Sequence, residues 1–120
     1  MLKVYAYQGC STCKNALKWL KARGIPHQEQ PIRDTPPTVP ELRAMLKAKG
    51  GDLRPLFNTS GQDYRALGLK DTLPTLTVEA ALDLLSRNGN LVKRPFALDE
   101  TTGTHLVGFK EPEWQQALLP

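Results

Sequence analysis

Two cysteines, Cys10 and Cys13, are the only ones in the chain, and they stand three positions apart. So close a pair cannot supply the framework of bridges that holds small secreted domains together, so the thiols are either local chemistry or incidental. They follow a strand-like stretch and open a run with helical spacing. That context places Cys10 where unpaired backbone N–H groups and the positive end of a helix dipole converge, which favours the thiolate. The thiolate is the nucleophile of thiol chemistry, and a helix N-terminus is among the settings that lower a cysteine pKa from about 8.5. A three-residue offset lets Cys13 approach Cys10 on the first turn. Cys10 is therefore the expected attacking thiol and Cys13 the one that resolves a mixed disulfide. Ser11 and Thr12, between them, are candidate substrate contacts, and Lys14 could add positive charge. The competing reading, half of a zinc site, needs further ligands, and only His27, His105 and carboxylates remain. Neither histidine has a paired spacing, so no metal is expected.

Lys93-Arg94-Pro95 is the second constellation. A proline before a strand in this setting is a candidate cis proline. Its ring would pack beside the thiols and its neighbouring backbone could pair with an extended thiol substrate; an ordinary strand-start proline is the plainer alternative. Arg94 could offer a planar fork of donors to a carboxylate, an oxyanion or a thiolate, although on the residues alone a solvated arginine is the simpler reading.

The elements that must position these residues are legible in part. Leu2, Val4 and Ala6 alternate with Lys3, Tyr5 and Tyr7, the period-two pattern of a strand. Ala16, Leu17, Trp19 and Leu20 recur at helical spacing across residues 11–23, and Gly24 with Pro26 ends the run. Residues 27–32 read as a second strand, parallel to the first through a right-handed crossover. Thr38, Pro40 and Glu41 open a helix carrying Leu42, Met45 and Leu46 that Gly50-Gly51 closes. A further turn is expected at 54–57. Ser60 is expected to cap a short helix through Tyr64, Ala66 and Leu67 that Gly68 ends. Thr77 is expected to cap a longer helix carrying Ala80, Leu82, Leu84 and Leu85. After a turn at Asn88-Gly89-Asn90, strands at 96–98 and 104–107 are joined by a turn over 99–103. A helix over 111–119 completes the order. The expectation is an α/β chain of thioredoxin-like layout: a small mixed four-stranded sheet flanked by helices, in one domain over residues 1–120, with a helical insertion at about 38–90.

Composition bounds the rest. The 120 residues, 40% apolar and 23% charged, suffice for one domain with a real core. No apolar run approaches the roughly 20 residues that cross a bilayer, and the start lacks a signal-peptide pattern, so the expected location is the cytoplasm, away from membranes. The net charge of +4 is scattered without a run of five basic residues, so direct nucleic-acid binding is not expected.

Four ordered segments carry a resemblance: CSTC ahead of a lysine-rich helix, LFNTSGQDYRALGLKD, LVKRP and LVGFKEPEW. Together they resemble the arsenate reductase-like (ArsC/Spx) family, most closely its YffB and YusI branch, over nearly the whole chain. The resemblance implies a thioredoxin-like fold with a helical insertion, Cys10 as the reactive cysteine, and Arg94 as the arginine ahead of a cis proline, Pro95. It implies a thiol-disulfide oxidoreductase coupled to glutathione or glutaredoxin, with glutathione as a co-substrate and no bound cofactor. The family also offers a redox-switched regulator of the Spx type, which binds the RNA polymerase alpha subunit, and arsenate reduction. Glutaredoxin-coupled arsenate reductases use a trio of arginines around a single cysteine. Here only Arg94 matches, Asn58 and Gly108 occupy the other places, and Cys13 is additional, which argues against efficient arsenate reduction.

Overall fold

The computed structural model describes all 120 residues. In chain order the elements are β1 (Leu2–Ala6), α1 (Ser11–Ala22), β2 (His27–Pro31), α2 (Val39–Ala48), α3 (Gln62–Ala66), α4 (Leu69–Thr72), α5 (Val78–Arg87), β3 (Phe96–Asp99), β4 (Thr104–Val107) and α6 (Glu111–Leu118). Two compact units emerge: Met1–Pro31 with Arg94–Pro120, and Ile32–Lys93. The helical stretch expected at 38–90 lies inside the second. No helix is long and apolar enough to cross a membrane.

The first unit holds the sheet, in the order β2-β1-β3-β4. β1 runs parallel to β2, Leu2 opposite His27, and antiparallel to β3, Tyr5 opposite Phe96; β3 and β4 are antiparallel. One residue of β1 departs from the sequence pattern. Tyr5, placed by alternation on the polar side, is only 2% exposed and meets the ring of Phe96, its cross-strand partner on β3, edge-on at 6.0 Å. β2 is an edge strand of largely polar residues, His27–Pro31, whose glutamate and proline discourage pairing with another chain. On one face Leu2, Val4, Ala6, Ala97 and Leu106 share a core with Cys13, Ala16, Trp19 and Leu20 of α1 and with Trp114 of α6. Trp19, Phe109 and Trp114 pack edge to face, with centroids 5.1 to 6.4 Å apart. The indole nitrogens are satisfied: Trp114 donates to the Gly108 carbonyl at 3.0 Å and Trp19 to Glu111 at 3.2 Å. α1 and α6 are thereby fixed under the sheet.

The second unit is helical. Thr38 and Glu41 form a reciprocal capping box at the start of α2, and Thr77 accepts the Ala80 N–H at the start of α5. α2 and α5 pack together, burying Leu42, Met45 and Leu46 on one and Ala81, Leu82 and Leu85 on the other. Arg43 spans them with a two-pronged ion pair to Glu79, at 2.7 and 2.9 Å. Several local expectations are corrected here. Gly61, not Ser60, caps α3; the Ser60 hydroxyl donates to the Asn58 side chain instead. Gly68 follows the end of α3, as expected, but a second short helix that the sequence did not announce comes directly after it. At φ +64° it redirects the chain into α4 and a further 3-10 turn over Leu73–Thr75. Ala80 is exposed and Leu84 half-buried, Ala81 taking the inward place. The turn expected at Asn88-Gly89-Asn90 is present as a 3-10 turn, Gly89–Leu91, capped by Asn88, in which a Cβ at Gly89 would collide with the Ile32 carbonyl.

Candidate active site

The chain leaves β1 through a turn closed by the Cys10 N–H donating to the Tyr7 carbonyl at 3.1 Å, and Cys10 becomes the N-cap of α1. Its extended backbone, φ −98° and ψ 113°, turns the side chain back over the helix entrance. There the sulfur accepts the Cys13 backbone N–H at 3.3 Å, the bond that serine or aspartate oxygens make in other helices. Both thiols are free. They are unequal: Cys13 is fully buried beneath α1, whereas Cys10 is half-buried.

Burial alone pushes the Cys10 thiol up. Hydrogen bonds from the Cys13 side chain and backbone, then a hydrogen bond and the charge of Arg94, outweigh it and hold Cys10 below its ordinary value. Cys13 goes the other way. Burial first, then the hydrogen bond its thiol gives Cys10, and the Cys10 charge push it up to about 12, with the Tyr7 backbone and Arg94 opposing. The pair is thus unequal: the Cys10 thiol ionises more readily than an ordinary cysteine and the buried Cys13 thiol less readily. Lys14 is exposed and has no part in lowering Cys10, so the help expected from it is not found; Arg94 supplies the positive charge.

Arg94 reaches the thiols from the start of β3. The Arg94–Pro95 bond is cis, as the sequence suggested, and Pro95 is buried. Its carbonyl accepts the Gly108 N–H at 2.9 Å, so β3 and the end of β4 are tied at this point. The Arg94 guanidinium lies 5.2 Å from the centre of the Tyr7 ring, and its Nη1 is buried with no hydrogen-bond partner. A buried, unpaired donor on a cation is costly unless an anionic group visits it. Ser11 and Thr12 are exposed on the first turn of α1, beside Cys10 in the chain.

Tyr7 was not among the residues singled out by sequence. Its position beyond the end of β1 offered no sign that its ring would back Arg94, and the one local hint is Gly9: a Cβ there would lie 2.5 Å from the Tyr7 ring. Gly108, one of the two places where the resemblance would put an arginine, sits at φ +71°, a conformation that side chains rarely adopt. Asn58, the other, belongs to the second unit and donates to the Asn90 carbonyl at 3.3 Å. His27 and His105 bond the carbonyls of Ile25 and Gly103, and no group of three or more His, Cys, Asp and Glu residues could hold a metal ion.

Comparison with known proteins places the chain among relatives of similar sequence and fold. The uncharacterized protein YusI of Bacillus subtilis is 41% identical over 115 residues, covering 96% of each chain. The global transcriptional regulator Spx of Enterococcus faecalis is 30% identical over 118 residues, 98% of this chain and 86% of its own. A crystal structure of an ArsC family related protein from Bacteroides fragilis superposes with a TM-score of 0.89 at 42% identity, covering 97% of this chain and 96% of that one. A family profile described as the ArsC family matches residues 5–117, and the chain belongs to that family.

Proposed function

We propose that this protein is a thiol-disulfide oxidoreductase with Cys10 as the nucleophile. The observation that carries the reading is the asymmetry of the pair: a half-buried Cys10 sulfur that accepts the Cys13 N–H at the start of α1 and is held below its ordinary value, and a buried Cys13 one turn on whose thiol is pushed up. The Cys10 thiolate attacks one sulfur of a substrate disulfide; that S–S bond breaks and the other sulfur leaves as a thiolate that takes up a proton from water. Cys13 then gives up its proton and attacks the Cys10 sulfur of the mixed disulfide. The second substrate thiol leaves and a Cys10–Cys13 disulfide remains. Two electrons from a thiol donor, glutathione or a glutaredoxin-like protein, return the pair to the dithiol. Arg94, with its unpaired buried Nη1, serves an anionic group of the substrate and steadies the thiolate, while Ser11, Thr12 and the backbone around Pro95 flank the incoming sulfur. No bound cofactor enters the cycle, and a cytoplasmic setting, where thiols are kept reduced, suits it.

The test is direct. Cys10→Ser is expected to abolish glutathione-coupled disulfide reduction, and Cys13→Ser to accumulate a mixed disulfide visible as a mass increase. Full turnover in both variants would remove the proposal.

A second reading is favoured by one specific observation, the 30% identity to an Spx regulator across 98% of this chain. In it the same thiols switch affinity for a partner, the RNA polymerase alpha subunit, without turnover. Redox-dependent capture of that subunit, with no disulfide reductase activity, would select it. Arsenate reduction is the weakest of the three: with Gly108 and Asn58 in the places of two arginines, an arsenate oxyanion would lose most of its charge complement.

A further inference from the structure

A cleft of about 260 Å³ opens on the second unit, lined by Asp52, Arg54, Pro55, Phe57, Thr59 and Lys93. Its walls are fixed by backbone bonding between two segments. The Asn58 N–H donates to the Leu91 carbonyl at 2.7 Å and the Lys93 N–H to the Leu56 carbonyl at 2.8 Å, so residues 54–58 and 91–93 are stapled around the Phe57–Val92 bridge. Phe57, 1% exposed, and Pro55 are its apolar lining residues. Asp52 is held in place by accepting the Arg54 N–H on one carboxylate oxygen at 3.1 Å, leaving the other oxygen for a ligand. The Arg54 guanidinium and the Lys93 ammonium enter no ion pair and no side-chain hydrogen bond, and the Thr59 hydroxyl is likewise unengaged.

The charges decide the ligand class. A simple anion would meet Asp52, and a simple cation would meet Arg54 and Lys93. A group with a carboxylate and an ammonium on one carbon matches both signs, and Pro55 and Phe57 supply an apolar wall for a short methylene stem. The volume is below the roughly 300–1,000 Å³ of sites that enclose a drug-sized ligand, as suits an amino-acid-sized group. We propose that this cleft binds a zwitterionic α-amino-acid head group, Arg54 and Lys93 taking the carboxylate and Asp52 the ammonium. The inference goes beyond the thiol reading and does not depend on it.

The experiment titrates the full chain, labelled with nitrogen-15, with L-glutamine, with N-acetyl-L-glutamine, which lacks the ammonium, and with L-glutamine amide, which lacks the carboxylate. L-glutamine is expected to move the amide signals of Asp52, Arg54, Phe57, Thr59 and Lys93. Each derivative is expected to bind about tenfold or more weakly, a difference typical of one lost charge-assisted contact. Asp52→Asn is expected to erase the preference for L-glutamine over its N-acetyl form, and Lys93→Gln to weaken both. No shift at these amides, or equal affinity for the three probes, overturns the proposal. Disulfide reduction by the same samples is measured separately. Binding without turnover would refute the thiol reading alone, and turnover without binding would refute the cleft alone.

Discussion

Arg94→Met retains an apolar stem to lie over Tyr7 while removing the charge and donors that help hold the Cys10 thiol below its ordinary value. The Cys10 thiol is expected to rise, and its reactivity follows from two opposing effects. At a pH below both values, each tenfold loss of thiolate would be partly offset because a more basic thiolate is a better nucleophile, by about threefold with a Brønsted slope of about 0.45. The net fall is then about threefold to fourfold. At a pH above both values every molecule is thiolate, only nucleophilicity differs, and the variant should react about threefold faster than the wild type. The two curves must therefore cross. Iodoacetamide alkylation of Cys10, followed from about pH 5 to about pH 10 with thiolate ultraviolet absorbance as an independent titration, reads both limbs. Superimposable curves would mean that Arg94 does not tune Cys10. A variant slower by the same factor at every pH would mean that it acts on something other than thiolate basicity. Stability offers a second check, because leaving Nη1 buried and unpaired costs about 1–3 kcal/mol. Arg94→Met should unfold at the same urea concentration as the wild type or a higher one, as expected of a residue kept for chemistry.

Cys13 is raised in the folded state, so its contribution to stability is present below the ordinary thiol value and is lost as pH rises toward about 12. Cys13→Ala should show a shallower loss of stability than the wild type between about pH 9 and about pH 12 in urea unfolding; parallel profiles would contradict the assignment. Gly108→Ala places a side chain at φ +71° and should cost about 1–2 kcal/mol while preserving the sheet; an unchanged unfolding midpoint would show that the loop relaxes freely. Gly89→Ala forces a methyl into the Ile32 carbonyl and should destabilise by about 3 kcal/mol or more, measured by thermal unfolding; tolerance would refute the close approach.

What was legible in the sequence were features set by short-range rules. α1, α2 and α5 announce themselves through apolar spacing and through the caps Thr38 and Thr77, and residues 104–107 form a strand as their pattern required. The misreadings arose where neighbours along the chain do not decide. Tyr5 is buried against Phe96, its cross-strand partner on β3, which alternation within β1 does not reveal. α4 is four residues long, too short for a helical period to register, and follows a glycine that ordinarily signals a stop. The same division runs through the site. Cys10 and Cys13 are a local motif; Arg94 was preferred over a solvated arginine only through the family resemblance; Tyr7 joins it by folding alone.

The asymmetry of the thiols also constrains the order and pace of the proposed cycle. Cys13, fully buried, cannot meet a bulky disulfide first, so attack must begin at Cys10. Two of the three influences that raise Cys13, the hydrogen bond to Cys10 and the Cys10 charge, depend on Cys10 being a thiolate. Once Cys10 is bound in a mixed disulfide that charge is gone, and of these three only burial, the largest, still opposes ionisation, while the smaller favourable influences of the Tyr7 backbone and Arg94 remain. Cys13 is therefore released for resolution by the same bond that creates the need for it. Because burial persists, ionisation of Cys13 should still limit the second step. Release of product from the mixed disulfide should then accelerate with pH after the first attack has reached its plateau, and stopped-flow separation of the two phases reads this directly. A second phase independent of pH would mean that a group outside the pair takes the Cys13 proton.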